Sequence, residues 1–338
     1  MSKPYNTLVL IGRFQPLHSA HLEIIKRATA LTDQLVIIVG SANQPRTYKN
    51  PFTFDERARM IKDATRGLNM QVYVEPNTDT IYNDQAWAVR VQGIVSKYNK
   101  LGGAGVGIIG HKKDLSSSYL DMFPQWSLEE VELIEPLNAT DVRDLYFRRD
   151  ANMNFIRSVV PQTTFEFLEE FRKTSAYAEV VAEREFIANY KKQYASLPYP
   201  PVFVTTDALV ICSGHILLVE RKAFPGKGLF ALPGGFLNPN ERITQGAIRE
   251  LKEETKIKVP VPVLEGSIKK VQVFDHPDRS ARGRTITHCF LIELPDGELP
   301  KVKGSDDAKT AQWIPISQVD GSVMFEDHYQ MIQEMVGV

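Results

Sequence analysis

The sequence predicts two α/β domains in series, the first built on a doubly wound parallel sheet. Three observations predict this. Apolar runs of strand length alternate with helix-like stretches through the first 160 or so residues, two consecutive prolines interrupt the chain at Pro200 and Pro201, and strands resume after them around one strongly acidic helix. At 338 residues the chain is long enough for two hydrophobic cores.

Taken in order, Thr7 to Ile11 is an apolar strand that ends in Gly12 and a loop. Ala20 to Leu31 is helix-like and Gln34 to Gly40 is a second strand of the buried type, a strand–helix–strand spacing that argues for parallel pairing. Val72 to Glu75 and Val106 to Gly110 add further strands, so the first domain is placed at 1–162. From Thr163 to Tyr194 the pattern is helical, with Thr164 as the expected N-cap and Phe165, Phe167, Leu168 and Phe171 as the apolar face. The string LPYPP at Leu197 to Pro201 cannot continue a helix, and 163–201 is therefore read as a helical segment and linker. In 202–338, strands are expected at Val202 to Val210, Ile216 to Glu220, Val271 to Phe274 and Thr285 to Leu294, with helices at about Glu241 to Lys256 and Tyr329 to Met335.

Composition narrows the function classes. A net charge of −1 gives no support for a general nucleic-acid or membrane surface, and no apolar run approaches the roughly 18 residues of a membrane span. The opening MSKPYNTLVLIGRF turns polar too quickly for a secretory signal. Cys212 and Cys289 lie in apolar runs without metal-ligand spacing, so both are expected as buried free thiols of a cytoplasmic protein.

The acidic helix carries the most chemistry. Glu250, Glu253 and Glu254 fall at i, i+3 and i+4, so a helix brings all three carboxylates to one face, the outer two about 6 Å apart along the axis. Such anions repel unless a hard cation lies between them, and oxygen-only ligands point to Mg²⁺ or Mn²⁺. The bland reading is a solvated acidic face. The wider spacing resembles the Nudix box: Gly235, Glu241, Arg249, Glu250, Leu251, Glu253, Glu254 and Ile257 all stand at its positions. Lys256 departs from it, standing where the box has a glycine that ends the helix in a left-handed conformation. The resemblance implies a Nudix α/β/α sandwich that cleaves a diphosphate, with Glu250, Glu253 and Glu254 on metal, Glu253 and Glu254 catalytic, and Arg249 orienting a glutamate.

In the first domain, Gly12, Arg13, Phe14, Gln15, Pro16, Leu17, His18 and His21 follow the first strand directly. A strand that ends in a glycine loop and opens a helix presents backbone N–H groups to an anion. A zinc pair or a structural histidine pair are the rival readings of His18 and His21. The string resembles the nucleotidyltransferase signature, with Ala20 at the usual glycine. Asn138 to Arg143 (NATDVR) is similar to that superfamily's second motif. There Thr140 is expected to cap a helix and Arg143 to reach a triphosphate. Gly110 to Asp114 (GHKKD), Asn50 to Arg57 (NPFTFDER) and Tyr82 to Trp87 (YNDQAW) resemble archaeal-type nicotinamide mononucleotide (NMN) adenylyltransferases. With the box, the pairing resembles bacterial bifunctional proteins that join this Rossmann-like domain to a Nudix ADP-ribose pyrophosphatase.

That resemblance implies ATP, NMN, NAD and ADP-ribose as ligands, Mg²⁺ (or Mn²⁺) at both sites, and His18, His21 and Arg143 as catalytic groups. It implies substrate contacts from Gly12, Arg13, Phe14, Gln15, Arg46, Arg57, Asn83, Asp84, Trp87, Gly110, Lys113, Asp114 and Thr140. Trp87 is either a stacking partner for the pyridinium or a core aromatic, and Arg46 and Arg57 either meet phosphate or lie on a solvated surface. In the second domain, Phe274, Arg279, Arg282 and Arg284 look like the arginine-bearing loop of ADP-ribose-cleaving Nudix proteins. Asp306 and Asp307 are candidates for a general base or further metal contact. Three readings stay open for that domain: an ADP-ribose hydrolase, a hydrolase of another nucleoside diphosphate derivative, and a nucleotide sensor for the first site. The choice of nicotinamide or nicotinate substrate and any homo-oligomer are also open.

Overall fold

In a computed structural model of the chain, which describes residues 3–99, 105–112, 115–132 and 138–337, the contacts divide the protein into two compact units, 1–181 and 182–338. No helix among the described residues is long and apolar enough to cross a membrane.

The first unit is a five-stranded parallel sheet in the order β3-β2-β1-β4-β5. Its strands are β1 (Thr7–Gly12), β2 (Gln34–Val39), β3 (Gln71–Pro76), β4 (Val106–Gly110) and β5 (Ser127–Glu130). The β1 and β2 runs are buried almost throughout, which is why they read as continuous apolar segments. Helices α1 (Ser19–Ala28), α2 (Phe54–Thr65), α3 (Asp84–Ser96), α4 (Ala139–Tyr146), α5 (Met153–Val159) and α6 (Gln162–Phe171) complete it, with the first part of α7 (Ser175–Lys192). One apolar core on each side of the sheet includes Leu8, Leu10 and Ile37 on one face and Val9, Val36 and Ile38 on the other, the period-two alternation of a strand. The strand order reverses beside β1, so the crevice at the carboxyl ends of β1 and β4 is where a ligand site is expected.

Three expectations change here. The helical stretch from 163 to 194 is two helices, because Lys173 and Thr174 turn back onto Glu170 and Phe171 and the Thr174 hydroxyl accepts the Tyr177 N–H. Thr164 is not an N-cap: Pro161, with its fixed φ, stands at the cap position, and Thr164 is fully buried within α6. α1 is also shorter than expected, ending at Ala28.

The second unit holds a mixed sheet in the order β10-β11-β6-β7-β12, with β9 on β6 and β8 on β7. Its elements are β6 (Phe203–Cys212), β7 (His215–Arg221), β8 (Phe230–Ala231), β9 (Gly234–Phe236), α8 (Ile243–Thr255), α9 (Val261–Gly266), β10 (Ile268–Phe274), β11 (Thr285–Glu293), β12 (Ala308–Pro315) and α10 (His328–Val336). β6 and β11 run parallel and the remaining pairs antiparallel. α8 turns Ala247, Ile248 and Leu251 into the core; Glu254 is buried along the edge of that face, while Glu250 and Glu253 are only partly buried. It begins at Ile243, so Glu241 belongs to the preceding loop, and it ends at Lys256 with φ 49°, the left-handed conformation otherwise favoured by glycine. Cys212 and Cys289 are both buried and free.

Candidate functional sites

At the end of β1, Gly12 passes close under the Phe14 ring: a Cβ there would stand 3.1 Å from two of its carbons. The loop is fastened from behind by Gln15, whose amide donates to the Phe52 carbonyl and accepts the Phe52 N–H, both at 2.9 Å. Gln15 is therefore a buried tie between two loops, and the side-chain contact with substrate expected of it is not available. His18 stands at the N-cap position of α1, its backbone N–H donates to His21 Nδ1 at 3.4 Å, and the two rings stack with centroids 3.7 Å apart. His18 is 4 % exposed and its Nδ1 has no hydrogen-bond partner. Burial, and then the Arg143 charge, lower its pKa to about 4; burial and His18 hold His21 well below the usual range. Both imidazoles are thus neutral at pH 7 in the ligand-free protein, hydrogen-bond donors and not cations.

Positive charge comes from Arg13 and Arg143. Together with His21 and the first turn of α4 they line a cavity of about 420 Å³. Arg143 donates to the Gln15 carbonyl at 2.9 Å and to the Thr140 hydroxyl at 3.0 Å, and its Nε is buried without a partner. Thr140 holds Arg143 instead of capping the helix; Asn138 is the cap, accepting the Asp141 N–H at 3.0 Å. An unpaired arginine N–H and an unpaired imidazole nitrogen, at a helix start, suit a polyphosphate.

Around this cavity the remaining expectations sort themselves. Trp87 is half-buried, edge-on to Tyr119 at 6.2 Å, and the Tyr119 hydroxyl reaches the Ile11 carbonyl at 3.2 Å, which brings Trp87 to the same strand end. Asn83 caps α3 through the Ala86 N–H and Asp84 is exposed beside it. Gly110 closes β4, where a Cβ would meet Leu120 at 3.0 Å, so it is a packing glycine. Lys113 and Asp114 lie outside the described residues. Two cations are reassigned. Arg57 is 1 % exposed and donates to the carbonyls of Arg13, Gly40, Ser41 and Thr53, holding the loops in place instead of meeting phosphate. Arg46 makes a two-pronged pair with Glu56 at 2.9 Å, above the Phe171 ring.

In the second unit, Arg249 organises the glutamates. Its Nε and Nη2 grip Glu241 at 2.9 and 2.6 Å, while Nη1 donates to Glu250 at 2.8 Å and Glu253 at 2.9 Å. The Arg249 hydrogen bonds hold Glu241 down to about 2. Glu254 is 7 % exposed and its carboxylate accepts the Gly234 N–H at 3.1 Å. Burial pushes its pKa up to about 8, opposed by the Gly234 N–H and reinforced by the Glu250 charge; burial also raises Glu250. Gly235 lets Glu250 approach, since a Cβ there would stand 2.6 Å from its carboxylate.

The expected cage of three glutamates is not formed: Glu253 turns to Arg249, and among the described residues no three acidic, histidine or cysteine side chains converge on one point. Glu250 and Glu254 still fit a divalent cation. They are neighbouring, largely buried carboxylates whose proton affinity is raised by burial and like charge, the condition that a hard cation relieves. The loop bearing Asp306 and Asp307 reaches the same helix end, with the Ser305 N–H on the Glu254 carbonyl at 3.0 Å; both aspartates are exposed.

The arginine loop divides. Arg279 is buried in a two-pronged pair with Asp327 at 2.9 Å, and Arg284 turns to Asp275. Arg282 lies over the Phe236 ring at 4.9 Å with its Nε buried and unpartnered, which leaves it the best placed of the three to meet a ligand. Phe274 is fully buried and offers no surface to substrate, contrary to expectation. Sequence reasoning missed Arg221. It lines the Glu254 cavity with Arg279 and Arg282, lies over the Phe325 ring at 4.0 Å, and donates to the Pro225 carbonyl at 2.9 Å. It carries no spacing that marks it; only its place at the end of an apolar strand hints at a role.

A family model described as Cytidylyltransferase-like matches residues 9–159, and one described as NUDIX domain matches residues 202–335. The nicotinamide/nicotinic acid mononucleotide adenylyltransferase of Acinetobacter baylyi is 37 % identical over 177 residues, 52 % of this chain and 92 % of that protein. The ADP-ribose pyrophosphatase of Methanocaldococcus jannaschii is 36 % identical over 143 residues, 42 % of this chain and 77 % of that protein. A crystal structure of a bifunctional NMN adenylyltransferase/ADP ribose pyrophosphatase from Francisella tularensis, complexed with AMP and a manganese ion, is 36 % identical. It covers 98 % of this chain and 99 % of its own with a TM-score of 0.90. With both site geometries in place, the chain belongs to the family of bifunctional NMN adenylyltransferase/ADP-ribose pyrophosphatases, which pair a cytidylyltransferase-like domain with a NUDIX domain.

Proposed function

We propose that the chain is a two-site enzyme of NAD metabolism. The first site joins NMN to the adenylyl group of ATP, releasing pyrophosphate, and the second splits ADP-ribose into AMP and ribose 5-phosphate. The observation that carries the reading is that each unit has its own cavity of distinct lining: Arg13, His21 and Arg143 in one, and Glu254 with Arg221, Arg279 and Arg282 in the other.

In the first site the 5′-phosphate of NMN forms a bond to the α-phosphorus of ATP as the bond to the pyrophosphate oxygen breaks. The nucleophile is already an anion, so no base is needed and catalysis rests on position and charge. Arg143, fixed by Gln15 and Thr140, and Arg13 face the triphosphate, while His18 and His21 donate neutral hydrogen bonds to its oxygens. Trp87 offers its face to the pyridinium. Mg²⁺ would accompany the triphosphate.

In the second site Glu250 and Glu254 would hold Mg²⁺ or Mn²⁺, with Glu253 joining once it leaves Arg249. The cation supplies, when bound, the positive charge that lets a diphosphate approach these carboxylates and makes a nearby water more acidic. Arg249 orients Glu250, and Arg221 and Arg282 face the diphosphate from the opposite wall. Asp306 or Asp307, on the loop whose Ser305 N–H meets the Glu254 carbonyl, would accept the proton of the attacking water.

Purified protein should form NAD⁺ from NMN and ATP with Mg²⁺, and release AMP from ADP-ribose. Glu254→Gln should remove the second activity and leave the first. Equal loss of both, or ADP-ribose bound but never cleaved, would sink the two-enzyme reading in favour of the sensor. Parallel assays with nicotinate mononucleotide fix the first substrate.

A further inference from the structure

Helices α2 and α6 pack side by side and leave a groove of about 440 Å³ between them on the first unit. Each helix lines its own bank with one dominant sign of charge. On the α2 bank Arg59, Lys62 and Arg66 recur at helical spacing and are all exposed. On the α6 bank the exposed residues are Glu166, Glu169 and Glu170. The floor is apolar, with Met60 buried and the Arg59 guanidinium over the half-buried Phe167 ring at 6.0 Å. Beside it the Thr163 hydroxyl is buried and, among the described residues, without a hydrogen-bond partner. Asp63, the one acid on the basic bank, is engaged by Arg66 at 2.8 Å. Arg59 stands 3.7 Å from Asp63 and 3.9 Å from Glu170, too far for a hydrogen bond to either. The nucleotide site makes no use of this face, because Arg57 carries the opposite side of α2 to the Arg13 and Gly40 carbonyls.

We propose that the groove is an interface with a second copy of the chain, the two copies related by a two-fold axis running along it. Rotation about that axis exchanges the banks, so the basic row of each copy comes to lie over the acidic row of the other. A partner of one sign would be repelled by one of the two banks, whereas a copy of this same face is attracted by both. The net charge of −1 sets no long-range repulsion between copies. Arginine and an aromatic ring on an apolar floor are the residue types that anchor interfaces, and the charged rows fix orientation. The long arginine and glutamate side chains of both copies fill the space where the two grooves face one another.

The test reverses charge on separate chains. One variant carries Arg59→Glu with Arg66→Glu, which makes both banks acidic. The other carries Glu166→Arg with Glu170→Arg, which makes both banks basic. In sedimentation at micromolar concentration the wild-type chain should run at twice the chain mass, and the dimer should weaken as salt is raised. Each variant alone should be monomeric, with its dimer Kd raised at least ~100-fold, and the two mixed should form a one-to-one dimer. Far-ultraviolet circular dichroism reports that each variant is folded. Independently, carbodiimide coupling of mixed light and isotope-labelled wild-type copies should join Lys62 of one copy to Glu166 or Glu169 of the other. A monomeric wild-type chain, a dimer that survives in both variants, or variants that stay monomeric when mixed would overturn the interface. If a reversed chain does not fold, the coupling pattern decides, and coupling confined to single copies would overturn the interface as well.

Discussion

The two phosphate sites use arginine in opposite ways. In the first unit Arg57 and Arg143 direct donors at backbone carbonyls, so they fix loop shape and keep their charge. In the second, Arg249 and Arg279 direct donors at carboxylates, so they balance charge. The difference teaches what each reaction demands. Adenylyl transfer by an anionic nucleophile needs a rigid cationic cradle, whereas diphosphate hydrolysis beside glutamates needs anions kept in register until a cation arrives.

The sharpest way to break this contrast is Arg57→Met. It removes a donor from four carbonyls; those of Thr53 and Ser41 keep the Arg57 and Gln44 N–H groups, whereas those of Arg13 and Gly40, in the loops after β1 and β2, lose the side-chain donor that holds them, and a buried polar group left unpaired costs about 1–3 kcal/mol. The loss should reach about 4 kcal/mol, seen as a lower urea midpoint through Trp87 and Trp126 and as loss of NAD⁺ formation. ADP-ribose hydrolysis should persist at moderate temperature. If both activities fall together, Arg57 is not confined to fixing the first unit. The matching change in the second unit, Arg249→Lys, keeps charge but cannot grip Glu241 with two prongs while donating to Glu250 and Glu253. Hydrolysis should fall roughly 10–100-fold, the usual effect of removing a group that orients a metal ligand, with NAD⁺ formation unchanged.

These arginines also mark the limit of what the sequence could reveal. The strand run of β1, the glutamate spacing on α8 and both signature strings are local patterns, and the structure builds them as periodicity requires. Arg46, Arg57 and Arg279 are visible in the chain only as cations, because a sequence displays charge and not partner. Asp327 stands 48 residues from Arg279, and the Arg13 carbonyl 44 residues from Arg57. Phe274 stands next to a loop expected to bind substrate, yet strand alternation turns it inward. Arg221 reaches the Glu254 cavity through contacts between distant segments, and nothing in local spacing announces it.

Acid should separate the units further. His18 has a folded pKa of about 4 against about 6.5 when unfolded, so between those values the unfolded chain binds more protons. Its contribution is complete above pH 6.5 and falls by about 1.4 kcal/mol for each pH unit below, and His21 acts with the same sign. In the second unit the signs mix. His328, lowered to about 3, behaves like His18, but burial raises Asp207 and Glu326, and a carboxyl with a raised folded pKa gains stability as pH falls through it. Urea unfolding of the ligand-free protein at pH 7 and pH 5 should therefore move the Trp87 and Trp126 signal more than the Trp313 signal, the latter read in a chain carrying Trp87→Phe and Trp126→Phe. Equal movement would mean that the histidine pair is not buried in the neutral form.

The smallest effect concerns the one position where the box departs from its pattern. Lys256 ends α8 at φ 49°, its N–H on the Lys252 carbonyl at 3.0 Å, and the next residue, Ile257, is buried in the core. The left-handed conformation costs a residue with a Cβ about 1–2 kcal/mol. Packing of Leu251 and Ile257 on either side fixes the turn there whatever residue occupies it, so the fold imposes the conformation and lysine bears the strain. Glycine would remove that strain but lose about 0.5–1 kcal/mol more chain entropy on folding. Lys256→Gly should stabilise the second unit by up to about 1 kcal/mol, a rise of roughly 2–4 °C in its Tm, with no change in hydrolysis. A fall in Tm would show that the Lys256 side chain contributes more than its backbone costs, and the departure from the box would then be a stabilising substitution instead of a tolerated one.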